Sequence, residues 1–292
     1  MEHRAGFVNI LGNPNVGKST IMNALVGEKL SIITPKVQTT RHRILGIING
    51  KDFQIVYSDT PGILKPAYKL HESMMGFVKS ALSDADIIIY VTDIAEKIDL
   101  EGEFIERIRK SGIPVIIAIN KIDLSSQAEL EKIVELWHTY FPESEIIPVS
   151  ALRGFNIDTL MKSVLDKLPE GEPFFPKDQL TDKYERFFAS EIIREKILLN
   201  YQREIPYSVE IEIESFVEEI KQTRIRAIIN VIRESQKGII IGHNGKMLKK
   251  IGTEARKDME EFFGRKIFLE LYVKVNKDWR NKPLMLKRFG YR

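Results

Sequence analysis

The 292 residues are 43% hydrophobic, enough apolar surface for two packed cores, so two domains are expected. The absence of cysteine excludes disulfides, thiolate zinc sites and cysteine nucleophiles, and fits a reducing cytoplasmic compartment. Residues 1–170 hold 19 basic and 22 acidic side chains, net −3, whereas residues 246–292 hold 14 basic against 6 acidic, net +8, which points the C-terminal part toward a polyanionic partner.

Phe7–Leu11 reads as a buried strand that runs directly into Gly12-Asn13-Pro14-Asn15-Val16-Gly17-Lys18-Ser19, with Thr20–Leu25 opening a helix that stops near Gly27. Two glycines separated by four residues, then Lys and Ser, between a strand and a helix, make a phosphate-binding loop. Backbone N–H groups and the helix N-terminus line a hollow suited to a di- or triphosphate. Lys18 is expected on the β and γ phosphates and Ser19 on magnesium. Ile44–Ile48 and Phe53–Tyr57 flank Asn49-Gly50 and predict an antiparallel hairpin at the sheet edge. Ile87–Val91, Val115–Ile119 and Ile146–Val149 read as buried parallel strands, separated by helical stretches over 101–110 and 127–139 and closed by a helix over Asn156–Leu168. None of these apolar runs approaches the ~20 residues needed to span a bilayer, and no secretory signal or integral membrane segment is expected.

The base and the metal are read from loops that follow these strands. Asp59-Thr60-Pro61-Gly62 places an acid at a strand end, where it is expected to hold magnesium through water, and a glycine whose N–H is free to approach the γ phosphate. Asn120-Lys121-Ile122-Asp123 sits on the edge where open α/β sheets bind ligands. The Asp123 carboxylate accepts the paired donors of guanine, which adenine lacks; Asn120 is expected to brace the loop and the Lys121 stem to cover the base. Val149-Ser150-Ala151 is expected to offer a backbone N–H to the guanine carbonyl. The five histidines, His3, His42, His71, His138 and His243, have no metal-ligand spacing.

With these four motifs in this order, the chain resembles the translation-factor-related class of regulatory GTPases. Gln38-Thr39-Thr40-Arg41-His42 looks like the first switch segment of the Era, Der and MnmE group. The resemblance implies that Thr40, with Thr39 as the alternative, completes the magnesium shell when the γ phosphate is present, and that hydrolysis lets both switch loops relax. Ile63 stands where Ras-like enzymes carry a water-orienting glutamine. The resemblance therefore implies slow basal hydrolysis, helped by a potassium ion held partly by Asn15 or by a macromolecular partner.

Pro169-Glu170-Gly171-Glu172-Pro173, with Pro176, reads as a linker, placing domains at 1–169 and 184–292 with 170–183 between them. Beyond it, Tyr184–Leu199 and Lys246–Phe263 read as helices and Tyr207–Phe216, Thr223–Arg233 and Ile267–Val275 as strands. Gly238-Ile239-Ile240-Ile241-Gly242-His243-Asn244-Gly245-Lys246 resembles the Gly-X-X-Gly region of a type II KH domain, which implies single-stranded RNA binding by Gly238, Ile239, Ile241, Gly242, His243, Asn244, Gly245, Lys246, Lys249 and Lys250. Trp279, Phe289 and Tyr291, interleaved with basic residues, suit either base stacking or packing of the C-terminal helix. The fold class expected is an α/β P-loop GTPase domain, with a mainly parallel sheet covered by helices on both faces, followed by an α+β type II KH domain. Over essentially the whole chain this resembles the Era-type family. That implies a monomer that binds small-subunit (16S) ribosomal RNA near its 3′ end, acts in assembly of the small ribosomal subunit, and touches the inner membrane peripherally. Two other readings remain open: a GTPase acting in transfer RNA modification, suggested by Thr39-Thr40-Arg41, and an RNA chaperone with structural nucleotide.

Overall fold

The computed structural model describes residues 3–96 and 102–291, and the chain divides into two compact units. The first comprises residues 1–31, 40–65 and 74–182. Its strands are β1 (Arg4–Leu11), β2 (Ile44–Asn49), β3 (Phe53–Asp59), β4 (Ile87–Asp93), β5 (Val115–Asn120) and β6 (Glu145–Pro148), in the spatial order β2-β3-β1-β4-β5-β6. Only β2 runs antiparallel, to β3, as the hairpin signal requires; the turn itself is closed by a Gly50 N–H to Phe53 carbonyl bond of 2.9 Å. The central strands are apolar on both faces because helices cover both, the pattern of a buried parallel sheet.

The helices are α1 (Lys18–Val26), the part of α2 (Lys69–Ser83) from Met74 onward, α3 (Glu103–Lys110), α4 (Gln127–Tyr140) and α5 (Ile157–Lys167). Residue 101, where the sequence reading starts α3, lies outside the described residues. Ser126 caps α4 in a reciprocal capping box with Glu129, and Gly27 ends α1 in the left-handed conformation that glycine adopts without cost. Helix α2 is absent from the sequence reading above, although Leu70, Met74, Val78 and Ala81 form one buried stripe at helical spacing. Residues 169–182 run along this unit: Ala5 N–H bonds the Pro169 carbonyl at 3.0 Å, and Gln54 exchanges side-chain bonds with the backbone of Phe174 and Phe175.

The second unit comprises residues 32–39, 66–73 and 183–292. It contains α6 (Glu185–Asn200), the single turn α7 (Ile205–Ser208), β7 (Glu210–Glu218), β8 (Thr223–Val231), α8 (Glu234–Ile241), α9 (Lys246–Phe263), β9 (Ile267–Val275) and α10 (Pro283–Arg288). The sheet order is β7-β8-β9, antiparallel then parallel, and Ile193, Ile197, Ile229, Ile240, Ile251 and Met259 are among the residues packed between sheet and helices. The strand expected from Tyr207 begins at Glu210 because Pro206, unable to donate to a ladder, sits in a helical turn instead. The strand expected to reach Arg233 stops at Val231, since Gln236 accepts the Ile232 and Arg233 N–H groups and starts α8.

Candidate nucleotide pocket and nucleic-acid loop

Because β1, β3, β4, β5 and β6 are parallel, the loops after them open on one edge, and the strand order reverses around β1, the usual position of a ligand crevice. The phosphate loop occupies that position. Gly12 and Gly17 adopt φ of 145° and 98°, and a Cβ there would stand 2.2 Å from the Val91 carbonyl oxygen and 2.1 Å from Asn120 Nδ2. Both positions therefore demand glycine. Lys18 Nζ folds back on its own loop, donating to the carbonyls of Gly12 at 3.0 Å and Asn13 at 2.8 Å. Burial lowers its pKa to about 8, against the opposing pull of Asp59 and Glu96.

Three oxygen-bearing side chains meet beside it. Ser19 Oγ donates to Asp59 Oδ2 at 2.7 Å and lies 2.8 Å from Thr40 Oγ1, which is 3.3 Å from the same carboxylate oxygen. Asp59 is fully buried, and burial raises its pKa. Its Oδ1 has no hydrogen bond of acceptable geometry; the Ser31 hydroxyl is close enough to favour the carboxylate but is itself unbonded. Thr39 turns away from this group, its hydroxyl bonded to Lys36 O at 2.6 Å and to Thr34 Oγ1 at 2.7 Å.

The remaining motif residues divide between lining and bracing. Gly62 abuts the phosphate loop, where a Cβ would approach Pro14 Cα to 2.7 Å, and Ile63 N–H bonds the Gly12 carbonyl while its side chain packs on the core. Thr60, expected at the nucleotide, is fully buried and donates to the Ile10 carbonyl at 2.8 Å, so it stitches the strand end. Asn120 ties two loops together, donating to Val16 O at 2.9 Å and accepting from Ala151 N–H at 3.1 Å. The Ala151 donor thus reaches a base only as a shared one. Asp123 accepts from Ser150 Oγ at 2.6 Å, and Lys121 Nζ donates to Asn15 O at 2.7 Å and Asp93 Oδ2 at 2.5 Å.

Two acids at the end of β4 were missed from sequence. Asp93 holds Lys121, and Glu96 accepts from Asn13 Nδ2 and, at 2.7 Å, from Thr92 Oγ1. Their signal was their place just beyond an apolar parallel strand, on the ligand-binding edge.

In the second unit, the C-terminus of α8 and the N-terminus of α9 are joined by Gly242-His243-Asn244-Gly245, with φ of 70° at Gly242, 50° at Asn244 and 75° at Gly245. A Cβ on Gly242 would come within 2.8 Å of Met247. His243, Asn244, Lys246, Lys249 and Lys250 are exposed, as is Ile239, whereas Ile240 is wholly core and its carbonyl accepts from Tyr201 OH at 2.8 Å. A tight backbone, lysines on the following turn and an apolar margin together present a surface for a sugar-phosphate chain. Of the aromatics held for stacking, Trp279 and Tyr291 are buried: Trp279 Nε1 donates to Ser208 O at 3.0 Å and its ring meets Phe289 edge-on. They pack the C-terminal turn and offer no stacking face.

Fold and sites define a P-loop GTPase joined to a KH domain, and the matching family models have the same order: "50S ribosome-binding GTPase" over residues 7–121 and "KH domain" over residues 204–280. GTPase Era of Staphylococcus haemolyticus (strain JCSC1435) is 44% identical, with 99% of this chain and 98% of that protein aligned. GTPase Era of Syntrophus aciditrophicus (strain SB) is 46% identical over 99% and 95%. The chain belongs to the Era family of GTPases. Among solved structures it is similar, at a TM-score of 0.94, 42% identity and 99% coverage of both chains, to Era in complex with MgGDPNP and nucleotides 1506–1542 of 16S ribosomal RNA. The same values hold for an Aquifex aeolicus Era variant bound to GDP and AlF4−.

Proposed function

We propose that this GTPase binds small-subunit ribosomal RNA near its 3′ end through the Gly242–Gly245 loop and acts in assembly of the small subunit, holding RNA more tightly with GTP than with GDP. The observation that carries the reading is the exposed loop with its lysines, in a chain 42% identical to an Era solved with a 16S fragment. Domain limits of 1–169 and 184–292, a monomer, and a cytoplasmic place with peripheral contact at the inner membrane belong to the same reading. No helix among the described residues is long and apolar enough to cross a membrane.

For the reaction, residues 12–20 cradle the phosphates, Lys18 bridges the β and γ groups, and Gly62 senses the γ group. Asp123 and the Ser150–Ala151 loop select guanine. Ser19, Thr40 and the water shell of Asp59 suit magnesium: two hydroxyls converge on a buried carboxylate with an oxygen left without a bond. When bound, magnesium neutralises charge on the β and γ oxygens. The protein holds that cluster fixed through the Ser19, Thr40 and Asp59 hydrogen bonds and supplies the Lys18 charge. Ile63, packed against the core, orients no water, so hydrolysis without a partner is slow; a potassium ion, held partly by Asn15, would supply positive charge that speeds it. Equal turnover in sodium and potassium buffers would remove the cation from this account. Crosslinking in cells, followed by sequencing of the bound RNA, tests the partner: reads are expected at the 3′ end of small-subunit ribosomal RNA, and reads dominated by transfer RNA would overturn it.

A further inference from the structure

Helix α6 carries a charge that its burial makes expensive. Arg194 is 1% exposed, and it is paired on its own helix with Glu191, its Nε donating to Oε1 at 2.7 Å and its Nη2 lying 2.5 Å from Oε2. A buried guanidinium is retained against its desolvation cost only when several acceptors meet it. The further acceptor is the backbone carbonyl of Thr39, which also takes a hydrogen bond from Nη2. Glu210, itself buried and bonded to Tyr291 OH at 2.8 Å, adds negative potential from the first residue of β7.

The segment so gripped is locally constrained. Gln38 sits at φ 59°, an unusual conformation for a side-chain-bearing residue, and the Thr34 and Thr39 hydroxyls and the Lys36 carbonyl close a small polar knot before Thr39. The Thr39 carbonyl belongs to the same planar peptide group as the Thr40 N–H, so fixing its direction fixes the plane from which the Thr40 side chain departs. Thr40 is the residue whose hydroxyl stands with Ser19 and Asp59.

We propose that Arg194 is a positioning residue for GTP hydrolysis: by holding the Thr39 carbonyl it sets the peptide plane that aims the Thr40 hydroxyl at the Ser19–Asp59 cluster. The inference rests on the role given to Thr40 above. It predicts an effect on turnover more than on binding, because GDP and GTP meet the phosphate loop and the base loops whether or not Thr40 is aimed.

The test is a double-mutant cycle on the full chain, measuring steady-state GTP hydrolysis, GDP affinity and melting temperature for Arg194→Gln, Arg194→Lys, Thr40→Ala and Arg194→Gln with Thr40→Ala. Misplacing a group from a distance costs of the order of 10- to 100-fold in rate, so Arg194→Gln is expected to lower kcat by about that factor. KM for GTP should change by less than about threefold. Arg194→Lys, which keeps the charge but cannot serve Glu191 and Thr39 together, should lose less. In the Thr40→Ala background, Arg194→Gln should cost nothing further. Unchanged kcat, a loss confined to melting temperature, or losses that multiply in the double variant would each overturn the proposal. Should Arg194→Gln fail to bind GDP, the cycle is read on Arg194→Lys, where unchanged kcat overturns it. Thr40→Ala with normal kcat would instead sink the role of Thr40, leaving the two failures distinguishable.

Discussion

The nucleotide pocket and the Gly242–Gly245 loop both rely on glycines at positive φ, but they spend them differently. In the pocket, the glycines let polar groups close in: the Asn120 side chain against Gly17, the Val91 backbone carbonyl against Gly12, Lys18 over its own loop. In the other loop the backbone is tight but the side chains around it, His243, Asn244 and Lys246, face outward. A site that must discriminate one base and one phosphate is prewired with buried hydrogen bonds, whereas one that follows a sugar-phosphate chain keeps its charges exposed.

Breaking the buried wiring should have the largest effect. Gly17→Val places branched carbon where Asn120 Nδ2 lies 2.1 Å from an ideal Cβ, and at φ 98°. Loss of measurable GTP binding in calorimetry is expected; binding within about threefold of wild type would mean that the Gly17–Asn120 contact does not shape the pocket. Reversing the exposed charges should act more gradually. Lys246→Glu, Lys249→Glu and Lys250→Glu combined should weaken RNA by about tenfold or more and lower the salt slope by about 3, as expected for three phosphate contacts. An unaltered salt slope would move the RNA path away from α9.

The smallest effect sharpens the electrostatic half of the comparison. Burial lowers the Lys18 pKa to about 8, so without nucleotide a larger share of the amine is neutral at pH 8.5 than at pH 7. A bound triphosphate favours the ammonium, so GTP binding should take up a fraction of a proton at pH 8.5 and less at pH 7, where the amine is already charged. Calorimetry in buffers of different ionisation enthalpy reads this directly, and no uptake at either pH would contradict it. Without nucleotide the same burial disfavours folding below pH ~8, a penalty that fades as pH rises toward the unfolded lysine value of about 10.4.

Much of this was legible in the chain. The phosphate loop, Asp59, Asn120 and Asp123 lie at strand ends that apolar runs announce, and parallel strands bring such ends to one edge. Helix α2 was legible but passed over, since its stripe follows a proline-bearing loop that masks its start. What the sequence could not carry was direction. Thr60 and Thr40 look alike in a motif, yet one bonds the strand it follows and the other joins Ser19 and Asp59. Trp279 and Tyr291 sit among basic residues and still turn inward, because short terminal helices bury what little apolar surface they have. Arg194 gave no signal beyond its pairing with Glu191 on the same helix: its further acceptor is the backbone of Thr39, 155 residues earlier.

The claim on which the functional account turns is that the state of the nucleotide pocket is felt at the RNA loop. The direct measurement is the affinity of the full chain for an RNA matching the 3′ end of small-subunit ribosomal RNA, at one salt concentration, with GDP and with a non-hydrolysable GTP analogue. At least about fivefold tighter binding with the analogue is predicted, the lower end of ordinary coupling between two sites. Equal affinity in the two states would contradict the account, because a ligand that does not distinguish two conformations cannot shift their balance.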